Sequence, residues 1–497
     1  MIALSNTTRV LRAHLVFAAL VSAFSMHGQA EMLTLQDTVR LALENNFDIQ
    51  ISEKVVERAV QDVDIAQTDY LPEVRVSTVN RFSKQSNSGS ILDGSDQPQS
   101  DTEDTELQVI QRFDSGATAT LTTSLNRRET NSANNRTINP AYNTDASIRI
   151  VQPLLSGFGP QVNKAQRRLS KLQLERRELE FQATVLNIIN DAERSYHQLV
   201  FAKEQLTVRQ DAMALAEGLF EENKIKEETG IATSLDVLQA EVGLANAKDR
   251  LIRAEQSLLD AQDTLVNLIG IQPSDTIMNV ENLDIGAPIR PDVESTYMKA
   301  VDHQPRYLTL LNVIEQRSVE LRRAKQNRLP NLNLNGTFAV TSLNESLRSS
   351  YSALPDGESY NWNMNMSLNV PWGLREKKAN LAKAELQLES EELRVAKEKA
   401  LIMRNTRSIV RSVETALEAI SIKELATELS EKEYEMEKAK FDAGLSTGRR
   451  VLEAQQRMNQ TKVDELRAKI DLLDAYSNLR EIDGSTLERY GINFDEE

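Results

Sequence analysis

The sequence predicts an α+β membrane protein: strands from several chains pool into one shared antiparallel β-barrel, which continues into a tube of long coiled-coil helices, with two tandem repeats per chain. Three observations carry this. A turn occurs twice, as GIATSLDVLQA around Gly230 and GLSTGRRVLEA around Gly444, 214 residues apart. The offset holds beyond the turn: Leu258-Leu259-Asp260-Ala261 falls on Leu472-Leu473-Asp474-Ala475, Gly270 on Gly484, Leu215 on Leu429, and Lys226 on Lys440. Long stretches on both sides of each turn keep helical period with leucines seven apart, the seam of a coiled coil. Finally, NWNMNMSLNV (361–370) alternates strictly, with Trp362, Met364, Met366, Leu368 and Val370 opposing Asn361, Asn363, Asn365, Ser367 and Asn369. That is the length and pattern of a membrane-barrel strand, one face to lipid and the other to water.

Composition agrees. Of 497 residues, 27% are charged, 40% hydrophobic and only 5% aromatic, which suits long solvated helices better than one compact core. The net charge of −16 argues against nucleic acid as a partner and gives no reason for adsorption to anionic lipid. The absence of cysteine excludes disulfides, thiolate metal sites, a Cys nucleophile and an N-terminal lipid-modified Cys. Residues 1–30 read as a cleaved export signal: Arg9 and Arg12 form the basic start, Leu15 to Phe24 the apolar run, and Gly28-Gln29-Ala30 the cleavage site. No later stretch reaches the roughly 20 apolar residues of a spanning helix, so a membrane span here must be a β-barrel.

The first repeat is assigned to 31–270. Helices occupy 35–70: Leu35, Val39, Ala42 and Leu43 share one face of a short helix that stops at Asn45-Asn46, and a second runs to Leu71-Pro72. Strands occupy 73–152. EVRVSTVNRF alternates from Glu73, Ser86 to Asp104 reads as an exposed loop, and LQVIQRF and ATATLTTSL flank the turn Asp114-Ser115-Gly116. A second polar loop, Asn126 to Asn143, precedes ASIRIVQPLL. The long helical hairpin spans 160–269, with Leu172, Leu179 and Leu186 before the turn and Leu244, Leu251, Leu258 and Leu265 after it. At 1.5 Å per residue its longer arm would reach about 100 Å, close to the depth of a bacterial periplasm.

Residues 271–299, with Pro273, Pro288 and Pro291, form the junction between repeats. The second repeat, 300–484, has a helix at 306–329, strands over 331–370 and a long hairpin at 374–483, and 485–497 is a C-terminal tail. Its strands begin after Leu329-Pro330, 258 residues beyond Leu71-Pro72, and end at Pro371, 218 beyond Pro153. The first repeat therefore holds 40 extra residues (258 less 218), which the hairpin 107–125 and its loops account for. That hairpin leaves two readings open: four spanning strands in the first repeat, or two with a hairpin folded over the outer rim. Two strands per repeat give only four per chain, whereas the smallest membrane barrels need about eight. Strands must then be pooled among chains, because unpaired backbone groups in lipid cost several kcal/mol each.

The duplicated plan, the Leu-Pro entry into an alternating strand, QPLLSGFG at 152–159 and the two glycine turns resemble the TolC-type outer-membrane efflux and secretion ducts, over roughly Leu33 to Gly484. The resemblance implies a homotrimer whose barrel has twelve strands, four from each chain, standing in outer-membrane lipid on a periplasmic helical tunnel. It also implies a periplasmic adaptor protein and an inner-membrane transporter as partners in a tripartite efflux pump or type I secretion system. Adaptor contact would fall on Gly230, Ile231, Ala232 and Thr233, and on Gly444, Leu445, Ser446 and Thr447. The family narrows its periplasmic tip with acids six and nine residues after the second glycine. Those positions are Arg450 and Glu453 here, preceded by Arg449 and matched in the first repeat by Asp236 and Gln239. An Arg450–Glu453 ionic lock between neighbouring chains is the expectation, weighed against plain solvated helix charges worth under about 1 kcal/mol each.

The rival classes are a periplasmic coiled-coil adaptor and a structural protein of the envelope; neither explains the strand at 361–370. No phosphate loop, nucleophile elbow or zinc motif is present, so neither catalysis nor a cofactor is expected. His197 and His303 are too few for a His-based metal site.

Overall fold

The computed structural model of the chain describes residues 32–86, 97–131, 137–271, 279–281, 285–356 and 359–494. The export signal lies outside the described residues. Two compact units are formed, one from residues 58–176 and 311–394, the other from the described parts of 1–57, 177–310 and 395–497.

The first of these holds all the named strands. They are β1 (Glu73–Lys84), β2 (Gln99–Arg112), β3 (Thr118–Thr130), β4 (Ala141–Pro153), β5 (Asn331–Asn344) and β6 (Tyr360–Asn369). Each pairs antiparallel with the next, giving one six-stranded sheet in sequence order. The hairpin 107–125 is part of this sheet. β2 and β3 stand between β1 and β4, hydrogen-bonded on both sides. The sheet of one chain thus holds six strands, which meets the expectation of four or more per chain and exceeds the four that the resemblance implies for the barrel.

The reason lies in the pleat, which sends alternate side chains to opposite faces. One row of partners crosses the whole sheet as Val74, Val109, Leu121, Ile148, Phe338 and Trp362. Two residues away on the same face run Val76, Leu107, Thr123, Ala146, Val340 and Tyr360. Between them, on the other face, run Arg75, Gln108, Thr122, Ser147, Ala339 and Asn361. A one-residue slip would mix these faces, so the alternation in β2 and β3 fixes their register in the sheet.

The strands also reach further than their apolar residues. Gln99 to Asp104, which read as part of a loop, belong to β2, and β3 continues to Thr130. Their polar side chains do not prevent it, because both neighbours supply the backbone hydrogen bonds. At the other end, the β2–β3 turn is pinned to QPLLSGFG. Gly116 has φ 90°, and a Cβ there would lie 2.4 Å from the Gly157 carbonyl oxygen. The Gly159 amide donates to Ser115 O at 3.0 Å, and the Lys164 ammonium lies 2.9 Å from the Asp114 carboxylate.

In the second unit, α1 (Leu35–Asn45) and the start of α2 (Phe47–Thr68) meet at Asn46. Its side chain accepts the Asp48 amide at 2.8 Å and donates to Leu268 O at 3.0 Å, so it breaks one helix, starts the next and anchors both. A short turn, α3 (Pro160–Asn163), precedes α4 (Ala165–Glu228), which returns as α5 (Ser234–Ile269). After α6 (Val293–His303), α7 (Pro305–Asn327) and α8 (Leu347–Ala353), α9 (Arg375–Asp442) returns as α10 (Gly448–Asp483). Val39 and Ala42 of α1 pack with Ile189, Leu199, Leu258 and Leu265, while Val413, Leu472, Tyr476 and Leu479 form a second cluster. The repeat is thus legible in packing: Leu258 and Leu472 are sequence twins, as are Leu265 and Leu479, and all four are buried.

The described part of the C-terminal tail, 485–494, is ordered against the helical unit. It forms α11 (Ser485–Arg489), and Leu487, Tyr490, Ile492 and Phe494 pack on the first cluster. Tyr490 Oη donates to Glu193 at 2.6 Å, and Arg480 pairs with the other carboxylate oxygen at 2.9 Å. Glu193 is only 1% exposed. Burial alone would raise its pKa, but Arg480 and hydrogen bonds from Ser477 and Tyr490 outweigh burial and hold it below the ordinary glutamate range. A depressed carboxyl stabilises the fold above its unfolded pKa and loses that contribution as pH falls through the folded value. Wild type is expected to lose thermal stability below about pH 4.5, and Glu193→Gln to show a lower melting temperature at pH 7 with a flatter acid limb. Melting curves across this range check it; parallel acid limbs would refute the assignment.

Candidate functional site

The features marked out by the sequence lie at the two hairpin turns. Both close the same way. The Gly230 amide donates to Glu227 O at 2.9 Å and Ile231 N to Lys226 O at 2.8 Å; the Gly444 amide donates to Phe441 O at 3.0 Å and Leu445 N to Lys440 O at 2.8 Å. This pair of bonds is the Schellman ending of a helix. It requires a left-handed residue, and the two glycines supply φ of 71° and 74°. A Cβ added at either would meet nothing within 4 Å. Ile231 and Leu445, one residue on, are 76% and 80% exposed.

The structure brings the two turns together. Phe441 packs with Leu219 and Val451, with Tyr434 and Leu452 around them. The Lys226 ammonium sits 3.5 Å from the centre of the Phe441 ring. Glu222 bridges Lys226 at 2.9 Å and Lys438 at 2.7 Å. Its burial favours the neutral acid, yet the two lysines hold its pKa below the ordinary value. Gly448, at the start of α10, lies against the buried Asn223, where a Cβ would come within 3.1 Å of the amide group.

Beyond the turns the two repeats diverge. Thr233 caps α5: its hydroxyl oxygen accepts the Asp236 amide at 3.3 Å, and its own amide donates to the Asp236 carboxylate at 2.9 Å. This capping box holds Asp236, whose pKa is lowered by the hydrogen bonds from Thr233. Asp236 is therefore committed to its own helix end rather than standing free. The sequence carries the signal, since Thr233-Ser234-Leu235-Asp236 is a capping-box pattern. Gln239 is half-buried one turn on.

In the second repeat Thr447 occupies the cap and Arg450 the position of Asp236, and Thr447 makes no side-chain cap bond. Ser446 instead donates to Glu437 of α9, and that bond, with Lys440 nearby, depresses the Glu437 carboxyl. Glu453 pairs with Arg449, one turn back on its own helix, at 2.9 Å. Arg450 is exposed and forms no ion pair among the described residues. The Arg450–Glu453 lock is an expectation between neighbouring chains. Within the chain both arginines lie within reach of Glu453 along the helix, three and four residues back, and it is Arg449 that takes the carboxylate.

The family model for outer membrane efflux proteins matches residues 118–271 and 314–485. Toxin and drug export protein A of Aggregatibacter actinomycetemcomitans is 20% identical over 224 residues, 42% of this chain and 46% of that protein, so the match spans less than half the relative's length. CusC, described for transmembrane channel formation, superposes with a TM-score of 0.69 at 13% identity, over 93% of this chain and 95% of its own. The outer membrane channel CmeC of Campylobacter jejuni does so with a TM-score of 0.63 at 18% identity, covering 96% and 92%.

The capping difference is directly measurable. Thr233→Ala is expected to destabilise the start of α5 by about 1 kcal/mol, roughly a fivefold rise in amide exchange at 234–236. Arg450→Asp should slow exchange at 448–450 by restoring the missing half of the box. Unchanged exchange in both variants would refute the asymmetry.

Proposed function

This chain belongs to the outer membrane efflux protein family, and we propose that it works as a homotrimeric exit duct in the outer membrane, reaching into the periplasm. One observation carries the proposal: a sheet with one apolar face, one polar face and two open edges. Lipid takes the apolar face, the polar face lines a water-filled lumen, and neighbouring copies take the edges. The long helices support the same assembly. Ile422, Leu425, Leu429 and Met436 form an exposed stripe on α9 at helical spacing, as do Leu235, Leu238 and Val242 on α5. Such stripes belong against neighbours.

The duct passes cargo onward from an inner-membrane transporter through a periplasmic adaptor, as an efflux pump or a type I secretion system. The adaptor docks on the hairpin tips, at Gly230, Ile231, Ala232 and Thr233 and at Gly444, Leu445, Ser446 and Thr447. Support comes from the apolar Ile231 and Leu445 projecting beside glycines that leave room for another backbone. The tip is gated by Arg450 and Glu453 of neighbouring chains, with Arg449 competing for the same carboxylate, and with Asp236 and Gln239 at the matching first-repeat positions. The unpaired Arg450 is the feature that favours an inter-chain lock.

In planar bilayers the wild-type trimer is expected to conduct poorly, and Arg450→Ala/Glu453→Ala to raise the closed-state current severalfold. An unchanged closed-state current would remove the gate. Absence of conductance from both proteins would contradict the duct.

A further inference from the structure

We infer that this chain's barrel has eighteen strands, three chains of six, with β6 of each copy hydrogen-bonded to β1 of the next. The inference rests on the trimer proposed above and goes beyond it in strand count, edge partners and register.

All six strands qualify as wall. The apolar row through Val74, Val109, Leu121, Ile148, Phe338 and Trp362 passes through β2 and β3 without a break. Their turn is clamped at Gly116 against Gly157, so this hairpin is held at the same end of the sheet as the entry to α3. The free edges are β1 and β6. Every residue of β6 is exposed, as is nearly every residue of β1. An even number of strands makes β6 run opposite to β1, so the two edges meet antiparallel when copies close into a ring.

Register follows from the strand ends. Trp362 stands level with Val74 across the sheet. β6 continues seven residues past Trp362 to Asn369, whereas β1 begins one residue before Val74, at Glu73. Bringing the strand ends level, Asn369 opposite Glu73, overlaps β6 along its whole length and gives a stagger of six residues over six strands, or one residue per strand. With about 3.3 Å per residue and about 4.8 Å between strands, that stagger corresponds to a tilt of about 35°, within the range of closed membrane barrels.

The stagger is even, so it preserves the faces. Leu368 comes opposite Val74, Met366 opposite Val76 and Met364 opposite Thr78, while Asn365 meets Ser77 and Ser367 meets Arg75. The apolar band continues around the ring, and the polar rows join on the other side. Barrel diameter grows roughly linearly with strand number, so this wall is about half again as wide as a twelve-stranded one. The duct then admits bulkier hydrated cargo at its outer end.

Imaging the wild-type protein in lipid nanodiscs tests this by counting strands. Threefold particles with eighteen strands are expected. Threefold particles with twelve, and β2–β3 outside the wall, would overturn the inference and leave the duct standing; particles without threefold symmetry would overturn the trimer itself. Register is tested separately, because the chain has no cysteine of its own. Ser77→Cys/Asn365→Cys is expected to give disulfide-linked dimers and trimers on oxidation, and Ser77→Cys/Asn361→Cys to stay monomeric on a non-reducing gel. The reverse pattern would refute the stagger.

Discussion

Hydrocarbon offers no partner to a backbone amide or carbonyl, and this constraint governs everything else about the chain. A sheet spanning a membrane must close, since each unsatisfied group costs several kcal/mol. Six strands in one sheet leave two edges. The even count matters because it returns the chain to the side it left. The repeat supplies strands in pairs on both sides of its long hairpins, and each added hairpin can only add two. The 40 extra residues of the first repeat satisfy that parity, which is why they can widen a wall without disturbing the helices on either side.

The helical unit shows the same incompleteness by other means. Its cores are narrow: Val39, Ile189 and Leu265 in one cluster, Val413 and Leu472 in another. Meanwhile Ile422, Leu425 and Leu429 remain in solvent on a helix whose other face is buried. A heptad seam saturates one partner and leaves the flanking positions for a second. Buried charges are few and matched. Glu193 holds Arg480 and Tyr490 together, tying α11 to α4 and α10 in the unit where the repeats meet.

Much of this was legible from residues alone. Strict alternation identified β6, and the glycine repeat located both tips, because period and positive φ are local properties. What escaped depended on partners. Gln99 to Asp104 read as loop since their side chains are polar, yet a strand flanked on both sides needs only its backbone. Residues 485–494 read as a tail since ten residues show no period; their burial comes from Phe181 and the first cluster. At the first turn, the repeat offset sets Asp236 against Arg450, whereas its spacing from Thr233 declares a cap. The Arg450–Glu453 expectation came from family position, while inside one chain it is Arg449 that takes the carboxylate.

The two turns diverge: one carboxylate is spent on a helix end, and at the matching position stands an arginine without an ion pair among the described residues. The proposed gate needs neighbouring chains, so the account stands on association. Light scattering of the detergent-extracted protein, corrected for bound detergent, measures this most directly. The account predicts a protein mass three times that of one mature chain, unchanged on dilution. A stable, folded, membrane-extracted species with the mass of a single chain would contradict it.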